Sequence, residues 1–188
     1  MRVIAGYLGG RTLVAPHGPR TRPTSDRVRE ALFSILGDVR GLRVLDLYAG
    51  TGALGIEALS RGAAQATFVE HAREPLRALR QNLRDLGLEG RTRVLPIRVE
   101  RALGGTPPAA GDADLVFVDP PYAALRAKEV LDALGLLLGG DDPVIVRRGG
   151  RVVLEHAAKL PPPAWPGLLQ GTARRYGDTA LSFYLRRT

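Results

Sequence analysis

The sequence predicts an α/β fold built on one doubly wound, mostly parallel β-sheet. Short apolar runs rich in β-branched residues alternate along the chain with longer segments whose apolar residues recur at helical spacing. This alternation is typical of a parallel sheet with helices on both faces. A glycine-rich loop joins one such run to the helical segment after it, as in sheets that bind a ligand at the carboxyl ends of their strands.

Length and composition favour a single globular domain. The chain has 188 residues, of which 45% are hydrophobic and 24% charged, and it contains no cysteine. It has no apolar run near the roughly 18 residues of a membrane span and no signal-peptide pattern at its start. His17, His71 and His156 are too widely spaced to suggest a metal site. We therefore expect a cytoplasmic monomer with no metal and no membrane partner.

The net charge of +8 is divided unevenly along the chain. Residues 1–40 carry seven arginines and three acids, residues 41–142 twelve basic and fourteen acidic side chains, and residues 143–188 eight basic and two acidic ones. Only two of the 27 basic residues are lysines. Base composition or thermal adaptation explains a preference for arginine but not its segregation. Since arginine binds phosphate bidentately and stacks on bases, the pattern predicts a nucleic-acid partner.

Residues 1–40 are predicted to form a small basic N-terminal arm, made of a hairpin and a helix, and residues 41–188 one compact unit. Strand-like runs at 2–5 and 11–14 flank a Gly-Gly pair, which predicts the hairpin. A capping Thr-Ser pair then starts a helix with apolar positions at 28, 31, 32, 35 and 36. The arm's arginines are interpreted as phosphate contacts rather than a solvated helix face: Arg11, Arg20, Arg22, Arg27 and Arg29.

The compact unit is predicted to hold five parallel strands and a closing antiparallel hairpin. The parallel strands cover residues 43–47, 66–70, 92–97, 115–118 and 150–155. Helices are predicted from the glycine-rich loop to residue 61, across 73–86 and across 125–138, and each is followed by glycine. Residues 104–113 are expected to form a loop. The runs at 168–175 and 179–186 predict the hairpin, which adds an antiparallel edge to the sheet.

The glycine loop, residues 50–55, has the pattern Gly-x-Gly-x-x-Gly, and Glu70 follows 20 residues after Gly50. Such a loop lets the backbone approach a ligand, and an acid ending the second strand can accept ribose hydroxyls. Two cofactor classes fit this pattern. A dinucleotide would bring its pyrophosphate to the helix, where the carboxylate of Asp46 would repel it. A ligand with a cationic end, such as S-adenosylmethionine, would be attracted instead.

A second candidate site is the Asp-Pro-Pro-Tyr segment, residues 119–122, which directly follows an apolar run. Two prolines impose a rigid bend, because proline lacks an N–H and restricts the residue before it to extended conformations. The bend presents the Asp119 carboxylate, backbone carbonyls and the Tyr122 ring at the edge of the sheet where ligands bind. An amino group on a flat ring would find acceptors and a stacking surface there. The alternative is a proline turn with a surface tyrosine.

These motifs, in this order, resemble those of class I S-adenosylmethionine-dependent amino-methyltransferases. The resemblance rests on residues 46–57 (Asp-Leu-Tyr-Ala-Gly-Thr-Gly-Ala-Leu-Gly-Ile-Glu), on Val69-Glu70 and on the Asp-Pro-Pro-Tyr segment. Residues 22–33 and 175–184 are similar to the bacterial 16S rRNA guanine-N2 methyltransferases, the ribosomal RNA small subunit methyltransferase D family. The resemblance covers nearly the whole chain and implies a Rossmann-like fold with S-adenosylmethionine as the methyl donor.

The resemblance also implies roles for individual residues. Gly50, Thr51 and Gly52 would line the methionine part of the cofactor, and Glu70 would hold its ribose. The full set implied for the cofactor is Asp46, Tyr48, Ala49, Gly50, Thr51, Gly52, Glu70, Val99 and Asp119. The set implied for catalysis is Asp119, Pro120, Pro121 and Tyr122.

One position departs from the family pattern. The family usually has Asp-Ala after the third strand, with the acid accepting a hydrogen bond from the adenine amino group. This chain has Arg98-Val99 there, and Glu100 follows. Either the register is shifted or the adenine is held by backbone groups alone.

The predicted activity is methylation of the exocyclic N2 amine of a guanine in 16S ribosomal RNA, either free or in an assembling small subunit. A DNA adenine-N6 methyltransferase could use the same Asp-Pro-Pro-Tyr segment, although the arm leaves little room for duplex recognition. A non-catalytic RNA-binding assembly factor could keep the fold, although the motif residues are intact. A dinucleotide-dependent oxidoreductase is the remaining alternative. Structural roles are expected for Trp165, Glu155 and His156.

Overall fold

The computed structural model describes residues 1–16, 26–104, 113–120, 128–140 and 145–187. Its strands are β1 (Arg43–Leu47), β2 (Gln65–Val69), β3 (Thr92–Leu95), β4 (Ala113–Val118), β5 (Val146–Ala157), β6 (Leu168–Tyr176) and β7 (Thr179–Arg186). Within the described residues these seven strands form one sheet in the order β3-β2-β1-β4-β5-β7-β6. Strands β1 to β5 run parallel, and β7 lies antiparallel between β5 and β6.

The helices are α1 (Asp26–Leu36), α2 (Ala53–Ser60), α3 (Arg73–Asp85), α4 (Val99–Gly104) and α5 (Lys128–Gly139), with a 3₁₀ turn at Glu89–Arg91. Four of the five follow the sequence prediction within a few residues. Helix α4 was not predicted, because its six residues are too few to show a helical period. Residues 105–112 of the expected loop lie outside the described residues.

Apolar side chains cover both faces of the sheet, as a doubly wound fold requires. On one face Leu115 and Phe117 of β4 share a core with α1, α2 and α3. On the other face Val116 and Val118 share a core with α4 and α5. Because side chains alternate along a strand, successive side chains of β4 enter the two cores in turn. The predicted α/β fold, with its mostly parallel sheet and antiparallel C-terminal hairpin, is confirmed.

Helix α1 packs with a different face from the one predicted. The ring of Phe33 meets the ring of Phe117 edge to face, with 5.8 Å between centroids. This contact rotates the helix so that Ile35, expected in the core, is 41% exposed. The buried residues of the helix are Val28, Arg29, Leu32, Phe33 and Leu36.

The N-terminal hairpin is less regular than predicted, with an isolated bridge between Arg2 and Thr12 in place of two paired strands. Backbone bonds still join its two arms, as from Val3 to Arg11 at 2.9 Å, and helix α2 holds the segment as well. The buried carboxylate of Glu57 accepts the N–H groups of Ile4 and Ala5 at 2.7 and 3.0 Å. A Cβ at Gly6 would lie 1.9 Å from the carbonyl oxygen of Ser60, so the two backbones touch there. The first residues of the arm therefore share a core with the sheet unit.

The closing hairpin carries the aromatic contacts expected of a packing anchor. Trp165 is buried and stacks on Tyr184, with 4.9 Å between ring centroids. Its indole N–H donates to the carbonyl of Leu131 in α5 at 2.9 Å. His156 is buried as well, and its Nε2 lies 2.8 Å from the Ser182 hydroxyl on β7. These contacts support structural roles for Trp165 and His156.

The described residues contain neither a candidate membrane span nor a candidate metal site. None of the helices is long and apolar enough to cross a membrane. Nor does the described part of the chain bring three or more histidine, cysteine or acidic side chains together as a metal site would.

Candidate active site

The glycine loop begins at the carboxyl end of β1, one of the two strands that flank the point where the strand order reverses. The chain reaches it through Tyr48, which has a φ of 59°, a left-handed conformation uncommon outside glycine. The Ala49 N–H then donates to the carbonyl of Val69 at 3.0 Å, which ties the loop to the end of β2. Sheets of this type bind ligands between the strands on either side of the reversal, here β1 and β4.

The three glycines of the loop have different surroundings. Gly50 has a φ of 57°, and a Cβ there would meet nothing nearer than the Tyr48 carbonyl oxygen at 4.0 Å. A Cβ at Gly52 would lie 2.4 Å from Leu79, and one at Gly55 would lie 2.3 Å from Phe68. Gly52 and Gly55 therefore let the loop and helix α2 pack onto the core, whereas Gly50 borders open space that a ligand can use.

Glu70, directly after β2, braces the loop with both oxygens of its carboxylate. Its Oε2 accepts the N–H of Gly50 at 2.9 Å, and its Oε1 accepts the N–H of Ala72 at 2.7 Å. A carboxylate has about four acceptor positions, of which these two bonds take two. The side chain is buried, as befits a group fixed in place before a ligand binds.

Asp46 faces helix α2 rather than open space. Its Oδ2 accepts the N–H of Gly55 at 2.9 Å, and the side chain is only 1% exposed. Burial raises the pKa of this carboxyl group to about 8, against the lowering effect of the Gly55 hydrogen bond. The predicted attraction between an ionised Asp46 and a cationic ligand is therefore not what this geometry supports. Asp46 holds the start of α2 against β1.

The position that departs from the family pattern forms the start of helix α4. Arg98 is exposed, and Val99 is buried in the core beneath the sheet edge. The hydroxyl of Tyr48 donates to Oε1 of Glu100 at 3.3 Å, and burial followed by the nearby Glu100 charge raises the pKa of Tyr48. Glu100, rather than Arg98, is thus the side chain that adjoins the glycine loop.

Asn82 links the loop to the N-terminal arm and was not identified from the sequence. Its amide nitrogen donates to the carbonyl of Thr51 at 3.0 Å and to that of Val14 at 3.1 Å. Its Oδ1 accepts the Val14 N–H at 2.7 Å. A signal was present, because Asn82 is a polar residue on the apolar face of α3, beside Leu79 and Leu83.

The Asp-Pro-Pro-Tyr segment begins where β4 ends. The Asp119 N–H lies 3.4 Å from the carbonyl of Leu47, the last residue of β1. Asp119 is half-buried and Pro120 buried. Pro121 and Tyr122 lie outside the described residues. The start of the segment and the glycine loop therefore leave neighbouring strands at the same edge of the sheet.

The arginines predicted to bind RNA fall into three groups. Arg11 and Arg27 are exposed, and Arg11 also donates to the carbonyl of Asp85 at 3.2 Å. Arg20 and Arg22 lie outside the described residues. The prediction is wrong for Arg29, which is fully buried and donates to Asp26 at 3.0 Å and to the carbonyl of Arg2. The rotation of α1 about Phe33 explains the error.

The glycine loop and the start of the Asp-Pro-Pro-Tyr segment thus lie on the two sides of the reversal between β1 and β4. The protein is a class I methyltransferase, and its methyl donor is S-adenosylmethionine. The residues around Gly50 fit this donor. Gly50 borders open space, and the Glu70 carboxylate is held in place by the Gly50 N–H.

Comparison with known proteins identifies the family. The chain belongs to the family described as "Conserved hypothetical protein 95", whose model matches residues 1–185. It is 36% identical, over 100% of both chains, to a Bacillus subtilis (strain 168) protein provisionally named rRNA methyltransferase YlbH.

Two further proteins extend the comparison. The chain is 42% identical to the Escherichia coli (strain K12) ribosomal RNA small subunit methyltransferase D, over 71% of this chain and 66% of that protein. A solved Escherichia coli structure, yhhF, provisionally titled a methyltransferase, matches with a TM-score of 0.85 and 33% identity. That match covers 100% of this chain and 98% of the solved one.

Proposed function

We propose that the protein methylates the exocyclic N2 amine of a guanine in 16S ribosomal RNA. The observation that carries the proposal is the 3.4 Å approach of the Asp119 N–H to the carbonyl of Leu47, the residue after which the chain enters the glycine loop. The names of the relatives from Bacillus subtilis and Escherichia coli support ribosomal RNA as the substrate class.

The chain's own residues have two tasks in this reaction. The N2 nitrogen of guanine is a poor nucleophile because its lone pair is delocalised into the ring. The Asp119 carboxylate and the Pro120 carbonyl accept its two N–H groups and hold them so that the lone pair points at the donor. Tyr122 stacks on the base once it has left its helix or loop.

S-adenosylmethionine supplies a methyl group activated by a sulfonium charge. Gly50, Thr51 and Gly52 would lie against its methionine part, and Glu70 would accept from its ribose. Transfer forms the bond between N2 and the methyl carbon as the bond between sulfur and carbon breaks, and one amine proton leaves. Asp119 need not be a strong base, because that proton becomes acidic once the nitrogen has attacked.

Contacts to the rest of the RNA are assigned to the exposed arginines of the N-terminal arm, of which Arg11 and Arg27 lie in the described residues. The substrate is either free RNA or the assembling small subunit, which would locate the protein in the cytoplasm. The protein would act as a monomer, since one chain supplies both the glycine loop and the Asp-Pro-Pro-Tyr segment.

Incubation with labelled S-adenosylmethionine and three acceptors tests this function. The acceptors are 16S ribosomal RNA, small ribosomal subunits and double-stranded DNA, and the product nucleosides are identified by mass spectrometry. We expect N2-methylguanosine from RNA or subunits and no labelled product from DNA. N6-methyladenine in DNA would favour the rival adenine methyltransferase. Absence of cofactor binding and of any product would favour a non-catalytic assembly factor.

A further inference from the structure

A second acidic side chain lies at the same edge of the sheet as the Asp-Pro-Pro-Tyr segment. Strands β4 and β5 run parallel with Val118 opposite Leu154. The next residue on each strand is acidic, Asp119 on one and Glu155 on the other. Since neighbouring strands are about 4.8 Å apart, the two carboxylates leave the sheet side by side.

The two acids also lie on the same face of the sheet. Phe117 of β4 and Val153 of β5 belong to the same core, which α1, α2 and α3 cover. Side chains alternate along strands, so Asp119 and Glu155, two residues later, return to that face. Strand β4 ends at Val118, but the Asp119 N–H still approaches the carbonyl of Leu47 on β1 at 3.4 Å, and β5 continues to Ala157. Both acids therefore continue the alternation of their strands. Both acids are half-buried, whereas His156, the next residue on β5, is buried.

Guanine presents two kinds of donor next to each other on its Watson–Crick edge, the N2 amine and the N1–H. Adenine has an amine on this edge too, but the neighbouring N1 is an acceptor. A carboxylate can accept from the N1–H of guanine and would face a lone pair on adenine. An anionic acceptor beside the group that holds the amine therefore selects guanine, both by attraction and by repulsion of adenine.

We infer that Glu155 accepts the N1–H of the target guanine while Asp119 accepts from its N2 amine, which makes Glu155 the residue that restricts this enzyme to guanine. This inference rests on the proposed function, and it replaces the structural role that the sequence suggested for Glu155. Asp119, Pro120 and Tyr122 alone do not distinguish one amino base from another, because each of them contacts only an amine or a ring face.

The test compares guanine with 2-aminopurine, which keeps the 2-amino group but has an acceptor at N1. The guanine found by nucleoside mapping is replaced by 2-aminopurine in ligated 16S ribosomal RNA. The ratio of kcat/KM for the two RNAs is then measured for wild type and for Glu155→Gln. Wild type should favour guanine at least about tenfold, because loss of the N1–H leaves Glu155 facing a lone pair. The side-chain amide introduced by Glu155→Gln can donate to N1, so the ratio should fall at least about tenfold in the variant.

A smaller fall in Glu155→Gln, or equal rates on the two RNAs in wild type, would overturn the inference. Glu155 makes other contacts, so the affinity for S-adenosylmethionine and the thermal unfolding of the variant are measured beside the ratio. Equal wild-type rates on the two RNAs would overturn the inference even if Glu155→Gln does not fold. Glu89→Gln, an exposed acid at the opposite end of the sheet, is the matched control and should keep the wild-type ratio.

The outcomes separate this inference from the function on which it depends. If wild type forms no N2-methylguanosine in RNA or subunits, the proposed function fails, and the role of Glu155 fails with it. If wild type forms N2-methylguanosine but the ratio is unchanged in Glu155→Gln, only the role of Glu155 is removed.

Discussion

Asp46 illustrates how burial changes what an acidic side chain does in this site. Its sequence position, four residues before the first glycine, suggested a charge presented to the ligand. In the folded chain it is buried against Gly55, and its pKa is raised to about 8. At neutral pH the carboxyl group is therefore largely protonated, and its main contribution is to fix the start of α2.

The raised pKa makes stability depend on pH with a defined sign. Relative to the unfolded chain, where the pKa is 3.8, the contribution of Asp46 is fully present below about pH 4. It is lost as the pH rises through the folded pKa of about 8. Asp46→Asn stays neutral and keeps an acceptor for the Gly55 N–H, so its stability should not change with pH through this site. The free energy of unfolding of Asp46→Asn minus that of wild type should therefore be larger at pH 8 than at pH 5, by at least about 1 kcal/mol. Urea unfolding at both pH values measures this difference, and a constant difference would contradict it.

Gly50 allows a sharper test of which glycine meets the ligand. Gly50 and Gly87 both have positive φ, 57° and 66°, and a Cβ at either would enter open space. Alanine should therefore cost each site about 1 kcal/mol of backbone strain. Only Gly50→Ala should weaken S-adenosylmethionine, by at least about tenfold, because its methyl group would occupy the ligand's side of the loop. Titration calorimetry on both variants decides this, and equal affinities would remove Gly50 from the binding surface.

At the scale of the elements, buried polar residues of helices α2 and α3 attach the arm to the sheet unit. Glu57 of α2 is fully buried, accepts from Ile4 and Ala5, and pairs with Arg61 at 2.7 Å. On the opposite side of the arm, Asn82 of α3 holds Val14 and the glycine loop together. The arm thus joins two helices that both begin at the ligand edge of the sheet.

Removing Glu57 should detach the start of the arm. Glu57→Ala leaves the N–H groups of Ile4 and Ala5 without their acceptor, and we expect a loss of about 2–4 kcal/mol in the free energy of unfolding. Hydrogen exchange at these two amides should accelerate in parallel. Glu89→Ala, at an exposed acid, should change stability by less than about 0.5 kcal/mol. Unchanged exchange at Ile4 and Ala5 would show that other contacts hold the arm.

The sequence predicted the elements whose signal is local and missed the contacts between distant residues. Strand β1 was predicted to the residue, because its apolar residues Val44, Leu45 and Leu47 come just before the glycine loop. The face of α1 was wrong, because only the contact between Phe33 and Phe117 distinguishes Ile35 outside from Arg29 inside. The irregular N-terminal hairpin has the same cause. Besides the backbone bonds across its turn, it donates to the side chains of Glu57 and Ser60, more than fifty residues away, which no local pattern shows.

The candidate site shows the same division. The glycine pattern and the Asp-Pro-Pro-Tyr segment could be read from the chain, since each depends on neighbouring residues. The contact between Tyr48 and Glu100 could not be predicted from the sequence. It depends on where helix α4 begins, which places Glu100 rather than Arg98 beside the loop. That Asp119 and Glu155 follow opposite residues of neighbouring strands depends on the register of β4 and β5, which no local pattern specifies.

At the scale of the whole molecule, charge segregation remains the feature that suggests how a large RNA would be held. The net charge of +8 comes from the two ends of the chain, and Arg11 and Arg27 are exposed on the arm. Such contacts release counterions from RNA, so they make affinity fall as salt concentration rises.

Salt titration tests this assignment. Arg11→Ala and Arg27→Ala should each weaken binding to 16S ribosomal RNA and make the slope of log affinity against log salt shallower by about 0.7–0.9. Fluorescence anisotropy with labelled RNA measures both quantities. Arg93→Ala, at an exposed arginine on the edge strand β3, is the control and should keep the wild-type slope. Slopes equal to the control would assign Arg11 and Arg27 to solvent.

The central claim is that the acid ending β4 acts on the substrate amine while the loop ending β1 holds the donor. Comparing Asp119→Ala with wild type separates the two roles most directly, with Asp178→Ala, an exposed acid in the β6–β7 turn, as the control. S-adenosylmethionine affinity is measured by calorimetry and methyl transfer to small subunits by label incorporation. We predict that Asp119→Ala binds the cofactor within about threefold of wild type and loses at least about a thousandfold in methyl transfer. Methyl transfer equal to wild type would contradict the account.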